Sequence, residues 1–399
     1  LNQICLLYLR SWDMKSNYNQ LGQYIEMVSR TNSDLKYGIE DVRGCSNTKQ
    51  MMQTRANLIG RTYEKFIVLR PQEFVFNRRT TRNGEKIGMA YNNTDREYIF
   101  TNDYVAFRVK QEYLDKLLPD YLYMFFCRDE FDRYARYKST GSATEFFNWE
   151  DMCAVPFEIP PMDFQQLVVN AYKVLNERIE TKQKINDNLA TQALTLFSDF
   201  VSHRSKKLEQ RKLGDVIASA NTGGDAIQKV PIVDYDTGIK CARVGDITNA
   251  REYASWAFCN ASKSVYDNYK LQAGDILVTR TATLGITQYI AKDISAVYNN
   301  GLIRLKVDDT NALSLYIYWA MKTSDFLNYI NQMNSATSVR PNMKIDYLLN
   351  YQLSIPSIEE QTQFTNAVEP LMKAISLNND EILKLSEFQA IILTTLSSR

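Results

Sequence analysis

Apolar side chains recur at alternating steps of four and three residues along the C-terminal part of the chain. They occupy positions 364, 368, 371, 375, 382, 385, 392 and 396, and Asn378 and Gln389 complete the series as polar members. A 4-3 spacing kept over about five heptads is typical of a coiled-coil seam. The pattern therefore predicts a long helix over 359–397. The seam positions we expect it to bury are Phe364, Leu371, Ile375, Asn378, Ile382, Leu385 and Ile392.

A second stretch in the middle of the chain follows the same register and predicts a helix over 163–203. Its seam positions are Val168, Leu175, Ile179, Lys182, Leu189 and Leu196. Lys182 and Asn378 occupy equivalent places, where buried polar groups can fix the register of a helix pair at a cost in stability. We expect the two helices to pack antiparallel as a coiled coil. The alternative is that each helix packs only on its own domain.

The chain repeats itself. "IPPMDFQ" (159–165) returns as "IPSIEEQ" (355–361), and at the same offset Asn170-Ala171 returns as Asn366-Ala367. Upstream, "DYLYMFF" (120–126) faces "LYIYWAM" (315–321), and "EFVFNR" (73–78) faces "DILVTR" (275–280). An echo that continues over such a length indicates a repeat architecture. We infer two copies of one unit of roughly 195 residues.

Each copy begins with a mixed globular part. Short β-rich runs such as "KFIVL", "FVFN", "VAFRV", "DILVTR" and "LIRLKV" are bounded by Gly, Asn and Asp clusters that indicate turns. One helix-like stretch follows in each copy, near 119–137 and 312–332. The predicted fold is α+β: two pseudo-symmetric globular domains at 21–160 and 206–355, separated by helices at 161–205 and 356–399. Residues 1–20 form an N-terminal segment, and 1–13, which lack Met, are expected to be non-native.

Composition narrows the function classes. The 47 Lys and Arg nearly balance the 46 Asp and Glu, which excludes a polycation that binds nucleic acid by bulk charge alone.

The six cysteines include no CxxC pair, and with His203 as the one histidine a zinc site is not expected. Scattered cysteines indicate a reducing compartment. The longest apolar runs are too short to span a membrane.

Three motifs in order, occurring in both copies, carry a family resemblance. "GDILVTRTATLGI" (274–286), "SATSVRPNMKIDYLLNYQLSIPSIEEQ" (335–361) and the following long helix resemble the specificity subunit of type I restriction-modification systems. The resemblance covers about residues 14–399. The first copy departs from the pattern, with Gln72-Glu73 where the second has Gly274-Asp275.

The resemblance implies a function. Two target-recognition domains would each read one half of a split site on double-stranded DNA, and the helices would dock two methyltransferase subunits. The same core can join two restriction subunits that translocate DNA. The chain itself would bind no cofactor, whereas S-adenosylmethionine, ATP and Mg would belong to its partners. The expected location is the cytoplasm of a bacterium or archaeon. Because the two copies differ in sequence, an asymmetric bipartite target is expected.

No catalytic signature accompanies these motifs. An amino-methyltransferase would need an Asn/Asp-Pro-Pro-aromatic stretch, and the one Pro-Pro pair lies between Ile159 and Met162. We therefore expect a non-catalytic subunit. The alternative is a stand-alone or fused DNA methylase or nuclease with an unrecognised catalytic site.

Polar and basic residues after one predicted strand are the first candidates for DNA contact. They are Arg78, Arg79, Thr80 and Arg82 in the first copy and Thr279, Arg280, Thr281 and Thr283 in the second. Arg forks to guanine or grips phosphate, and Thr does either. The alternative is that Arg78 and Arg280 make structural ion pairs. A second group is Ser142 and Thr144 with Ser335, Thr337, Ser338, Arg340 and Lys344, for which ordinary helix capping is the alternative.

Overall fold

The computed structural model describes residues 19–54, 58, 60–80, 86–140, 145–204, 209–224, 231–336 and 342–396. The chain divides into two compact units. The first unit comprises the residues up to Arg178 and those from Leu385 onward, and the second comprises Ile179–Lys384. Each long helix therefore contributes to both units. The predicted domain boundaries lie at the ends of the long helices, whereas the boundaries between the two units lie within these helices.

The first unit is built on a four-stranded antiparallel sheet with the order β1-β8-β5-β6. Two strand pairs, β2-β3 and β4-β7, lie beside it. The strands are β1 Ile25–Val28, β2 Arg43–Cys45, β3 Met51–Gln53, β4 Ile67–Leu69, β5 Phe74–Asn77, β6 Met89–Tyr91, β7 Tyr98–Phe100 and β8 Tyr104–Val109. Three helices follow, α1 Pro119–Phe126, α2 Asp129–Lys138 and α3 Trp149–Cys153, and then the long helix α4 begins, which spans Met162–Arg204.

The second unit repeats the main sheet with the order β10-β17-β14-β15. Its outer layer is different, because β11, β13, β12 and β16 form one mixed sheet in which β12 and β16 are parallel. The strands are β9 Glu209–Lys212, β10 Ile217–Thr222, β11 Ile232–Val233, β12 Lys240–Ala242, β13 Phe258–Cys259, β14 Ile276–Thr279, β15 Thr287–Tyr289, β16 Ala296–Tyr298, β17 Leu302–Val307 and β18 Gln352–Ile355. The helices are α5 Val244–Thr248, α6 Lys263–Tyr269, α7 Ser314–Ala320, α8 Ser324–Ala336, α9 Ile345–Leu349 and the long α10 Ile358–Thr395.

The mixed α+β prediction is confirmed, and the predicted β-rich runs form β4, β5, β8, β14 and β17. The single helix-like stretch in each copy is corrected, because each stretch forms two helices. In the first unit the backbone at Arg128 is extended, with φ −77° and ψ 145°, which ends α1 before acidic residues open α2. In the second unit the hydroxyl of Thr323 accepts from the backbone N–H of Phe326 and starts α8.

A buried glutamine explains why the two copies share the Ile-Pro…Gln motif. Gln165 accepts a 2.9 Å hydrogen bond from the backbone N–H of Leu118 and donates at 2.7 Å to the carbonyl of Pro160. Gln361 makes the same contacts with Leu313, at 2.7 Å, and Pro356, at 2.9 Å. Both side chains have 0% exposure. The motif therefore fastens the start of each long helix to the start of a domain helix, α1 or α7.

Within the second unit, α4 and α10 pack antiparallel around a polar layer. Lys182 Nζ donates at 3.0 Å to Asn378 Oδ1 and lies 2.7 Å from Glu381 Oε2, while Asn186 bonds to Asn378 and Asn379. Further along, Phe197 packs edge-on against Phe364. Within the first unit, the side-chain amides of Gln389 and Asn176 are hydrogen-bonded. The predicted antiparallel pair is confirmed, and the polar layer pairs both predicted register residues.

The predicted seam holds along most of both helices and is wrong at Leu196. Every other predicted seam position is buried or half-buried, whereas Leu196 is 42% exposed and Phe197 is 4% exposed in its place. An α-helix has 3.6 residues per turn, so it drifts away from a strict 3.5-residue repeat. By the last turns of α4 this drift has moved the buried line by one residue. The aromatic side chain then fills the core between Tyr316 and Phe364.

Candidate nucleic-acid interface

In each unit the structure places the first predicted candidate loop beside residues that are close in sequence to the second predicted group. In the first unit, the backbone N–H of Phe147 donates to the carbonyl of Arg78 at 2.9 Å, and Arg79 forms a β-bridge with Phe146. In the second unit, Met343 donates in the same way to Arg280 at 2.8 Å, and Thr281 bridges to Asn342. The loop after β5 or β14 therefore lies beside the segment that leads into α3 or α9. We call this the candidate surface of each unit.

Arg280 is held by the protein itself. Its Nε donates to the carbonyl of Met343 at 3.1 Å, and its Nη1 lies 3.2 Å from both the carbonyl and the side-chain oxygen of Asn300. The neighbouring Thr279 is fully buried, and its hydroxyl accepts from the N–H of Ile286. These contacts favour a structural role for Arg280, with carbonyl and amide oxygens as partners in place of the carboxylate of the expected ion pair. Thr279 cannot reach a duplex from this position.

The rest of the second loop is tight and partly exposed. Thr281 is half-buried and Thr283 is exposed. Ala282, with φ +63°, and Gly285, with φ +77°, both adopt left-handed backbone conformations. The turn therefore presents Thr283 to solvent within a constrained backbone.

In the first unit the two arginines are exposed and Thr80 is not. Thr80 is 4% exposed, and its hydroxyl donates to the carbonyl of Glu145 at 3.2 Å. The Arg78 guanidinium lies 5.9 Å from the ring centre of Phe146. Arg79 pairs with Asp103 at 3.4 Å, and both side chains are more than half exposed. An exposed ion pair of this kind contributes little to stability. Thr80, which the sequence suggested as a DNA contact, is therefore buried and makes its hydrogen bond within the protein.

Several predicted residues lie outside the described residues: Arg82, Ser142, Thr144, Thr337, Ser338 and Arg340. Ser335 falls in the last turn of α8. Lys344 is exposed and immediately precedes α9 as its N-cap residue. His203 lies near the end of α4, with Nδ1 2.7 Å from the carbonyl of Asp199, as expected for a residue in a C-terminal turn.

A buried ion pair anchors the chain just beyond the first loop. Lys49 and Asp132 are paired with side-chain exposures of 4% and 7%. Lys49 also donates to the carbonyl of Ile87 at 2.9 Å, and the N–H of Ile87 donates to Asp132 at 3.1 Å. Burial lowers the pKa of Lys49, and Asp132 opposes that effect. The pair therefore fixes Ile87 to α2.

Among the described residues, no group of three His, Cys, Asp or Glu side chains is placed to hold a metal ion. Within the same residues, no helix combines the length and apolar character needed to cross a membrane. The described cysteines, Cys45, Cys127, Cys153, Cys241 and Cys259, are all free thiols.

Residues 205–387 match the family model described as "Type I restriction modification DNA specificity domain". The second half of the chain is therefore similar to a type I restriction-modification DNA specificity domain. The match includes β14, the loop with Arg280, α9 and most of α10. It confirms the resemblance inferred from the three sequence motifs.

One solved structure extends the likeness to the whole chain at the level of fold, and a second is similar with a lower TM-score. A type I restriction-modification S subunit from M. genitalium is 14% identical, with 96% of this chain and 98% of that chain covered and a TM-score of 0.50. An HsdS subunit from Thermoanaerobacter tengcongensis is 15% identical, with coverages of 96% and 97% and a TM-score of 0.33. No curated protein matches the chain.

The sequence motifs of the specificity domain did not reveal every residue at the candidate surface. Asn300, whose side-chain oxygen accepts a hydrogen bond from Arg280, lies in the turn between β16 and β17, 20 residues after Arg280 in the sequence. On the first copy, Arg133, Arg136 and Tyr137 share the exposed face of α2, and Arg136 forms an ion pair with Glu145 next to Phe146. The sequence feature that could have identified these three residues is their i, i+3, i+4 spacing, which places their side chains on one helix face.

Proposed function

We propose that this chain is the DNA-reading and scaffolding subunit of a type I restriction-modification complex, and that it recognises a bipartite, asymmetric site on double-stranded DNA. The observation that carries the proposal is the duplicated candidate surface. Each unit builds it from the same backbone contacts, Phe147 to Arg78 and Met343 to Arg280. The side chains differ, with exposed arginines on one surface and Thr283 with Lys344 on the other.

The duplication supports two readers of different sequence. Phosphate contacts position a protein on DNA, whereas side chains at base edges specify the sequence. A conserved backbone frame with changed side chains suits two half-sites that differ in bases. The family match of residues 205–387 supports this assignment directly for the second unit.

The long helices support a scaffolding role. In the first unit Val174, Phe388 and Ile391 are 61%, 57% and 59% exposed, and in the second unit Leu377 is 60% exposed. Apolar side chains at this exposure suit a protein partner that covers them. We assign these positions to two methyltransferase subunits. Two restriction subunits can join the same complex, and S-adenosylmethionine, ATP and Mg belong to these partners.

An experiment on half-site exchange tests the proposal. The chain is expressed with its methyltransferase partners, and the methylated sequence of the host genome is determined. Residues 211–355 are then exchanged for the matching domain of a relative. One half of the methylated sequence should change while the other half stays the same. A change in both halves, or no site-specific methylation by the original complex, would contradict the proposal.

The catalytic alternative is tested separately. The purified chain is incubated with DNA and labelled S-adenosylmethionine, with and without the partner subunits. Label should enter DNA only when the partners are present. Transfer by the chain alone would replace the proposed scaffold by an enzyme.

A further inference from the structure

The exposed face of α2 continues the candidate surface of the first unit. The opposite face of α2 is internal, with Phe131, Asp132 and Ala135 buried. On the outer face, Tyr137 is 82% exposed, the highest value among the large apolar side chains described. Arg133 and Arg136 flank it at the spacing that places all three on one side of the helix. The outer face of α2 therefore combines one exposed aromatic ring with two cationic side chains.

This face is continuous with the loop after β5. Arg136 forms an ion pair with Glu145, the residue before Phe146. Phe146 in turn bridges to Arg79 and lies 5.9 Å from the Arg78 guanidinium. A single strip therefore runs from Arg78 and Arg79 across Phe146 to α2.

The carboxylates along this strip do not neutralise it permanently. Arg133 pairs with Glu130 at 2.9 Å, with exposures of 69% and 40%, and Arg136 pairs with Glu145 at exposures of 46% and 32%. Exposed ion pairs are weak because water screens them, so a guanidinium gives up such a partner at little cost. Phosphate accepts the same fork-shaped pair of donors.

The second unit lacks these cations at the equivalent place. α7 and α8 follow α1 and α2 at a constant offset, so Asn328, Asn331 and Gln332 correspond to Arg133, Arg136 and Tyr137. All three are exposed and uncharged. The same helix face is therefore cationic and aromatic in one unit and amide-bearing in the other.

We propose that Arg133, Arg136 and Tyr137 grip the DNA backbone beside the first half-site, and that the second half-site lacks this grip. The inference rests on the proposed function. Arginine and the tyrosine hydroxyl are both common donors to phosphate oxygens. Because these contacts carry no base information, they add affinity and salt dependence to the first half-site without altering its sequence.

The test measures binding of the chain in complex with its methyltransferase subunits to DNA that contains its methylated site, over a series of salt concentrations. Arg133→Gln should weaken binding on the order of tenfold. It should also make the slope of log K against log salt shallower by about 0.9, the value for one phosphate contact. Tyr137→Ala should weaken binding with an unchanged slope. Arg133→Lys should keep the slope, which separates charge from folding.

Matched variants complete the experiment. Arg108→Gln removes an exposed arginine of β8 at the far end of the sheet from Asn77, and it should leave both affinity and slope unchanged. Asn328→Arg should add the missing charge to the second unit and steepen the slope by about 0.9. The methylated sequence should be the same for all variants.

The two ideas fail in different ways. If the original complex binds all DNA alike, the proposed function is wrong. If the original complex is specific and Arg133→Gln binds with the original affinity and slope, the backbone grip is wrong. A changed methylated sequence in Arg133→Gln would also overturn it, since it would make Arg133 a reader of bases.

Discussion

The two units share a main sheet and differ in the layer that covers it. The four-stranded order β1-β8-β5-β6 returns as β10-β17-β14-β15, whereas two separate strand pairs in the first unit are replaced by one mixed four-stranded sheet in the second. Hydrogen bonds at the turns of the main sheet are kept even where the residue changes. The two copies therefore share backbone positions, while the side chains at those positions differ.

The turn before β5 and β14 shows this most clearly. Gly274 has φ +86°, and Gln72 holds the same left-handed conformation at φ +65°. The backbone N–H of Gln72 donates to the carbonyl of Asn92 at 2.8 Å, and the backbone N–H of Gly274 donates to the carbonyl of Ile290 at 2.8 Å. The next residue, Glu73 or Asp275, accepts from the backbone three residues earlier in both copies. The departure seen in the sequence therefore leaves the turn intact.

The largest expected effect breaks the feature that both units share. Gln165→Ala should lower the free energy of unfolding of the first unit by about 3–5 kcal/mol, because three backbone groups lose the buried Gln165 side chain as partner: Leu118 N–H and the carbonyls of Lys116 and Pro160. Gln361→Ala should cost about 2–4 kcal/mol in the second unit, where two such contacts are present. Hydrogen exchange resolves the units separately.

The exposed neighbour Gln166 supplies the control for that experiment. Gln166→Ala should change stability by less than about 0.5 kcal/mol. Equal losses in Gln165→Ala and Gln166→Ala would show that the glutamine contacts do not join the long helix to its domain.

A half-buried position that differs between the copies gives the next effect. Lys322 stands where the first copy has Cys127. Lys322 donates to the carbonyl of Thr287 at 2.9 Å, and burial lowers its pKa to about 8. At Cys127, burial raises the pKa of the thiol to about 11. A charged, half-buried amine therefore occupies the place where the other unit holds a neutral thiol.

The variant Lys322→Cys should stabilise the second unit by about 1–3 kcal/mol at pH 7, since it removes a charge that is partly withdrawn from water. The pH dependence should also change sign. Between pH 8 and about 10.4 the unfolded lysine binds more protons than the folded one, so stability of the original protein gains from rising pH. A buried thiol with a raised pKa loses stability over that range. Urea unfolding from pH 7 to 10 measures both, and an unchanged slope would contradict the prediction.

Substitution of the arginines after β5 and β14 should affect different properties, DNA binding in the first unit and stability in the second. Arg280→Ala should lower the stability of the second unit by about 1–3 kcal/mol, because its guanidinium holds Met343 and Asn300. Arg78→Ala, on the exposed side chain, should change stability by less than about 0.5 kcal/mol and weaken DNA binding. Denaturation and binding titrations of the two variants provide the measurement. The same response in both would remove the distinction between the two surfaces.

The smallest effect concerns the left-handed turn. Gln72→Gly should stabilise the first unit by about 0.5–1 kcal/mol, because glycine adopts this conformation without strain. The reverse change, Gly274→Ala, should destabilise the second unit by about 1 kcal/mol. Thermal unfolding of both variants tests the pair. A loss of stability in Gln72→Gly would show that the Gln72 side chain contributes more than its backbone costs.

Much of the framework could be predicted because its signals are periodic or repeated. The seam of α10 and the matching Ile-Pro…Gln motifs occur in sequence with a fixed spacing, and both reappear in the structure. The prediction that Leu196 is buried was wrong because it extended a strict seven-residue repeat along a helix with 3.6 residues per turn. Phe197 occupies the buried position because the core of the second unit accommodates its ring there.

The outer layers and the roles of individual arginines could not be predicted. Strands such as Ile232–Val233 and Phe258–Cys259 are too short to show a period. Arg280 looked like a DNA contact because its partners, Asn300 and Met343, lie at distant positions in the sequence. Conversely, the buried state of Thr80 depends on Glu145, which only the folded chain brings close.

The division of each long helix between two units has a consequence for the order of folding on the ribosome. The second unit is one continuous segment, Ile179–Lys384, whereas the first unit also contains the residues from Leu385 onward. Leu396 packs on the core of the first unit, and its carbonyl accepts a 2.7 Å hydrogen bond from Arg128. The half that is synthesised first therefore acquires its last contacts only after the second half has emerged. A nascent chain that stalls before residue 385 could complete the second unit while the first still lacks part of its core.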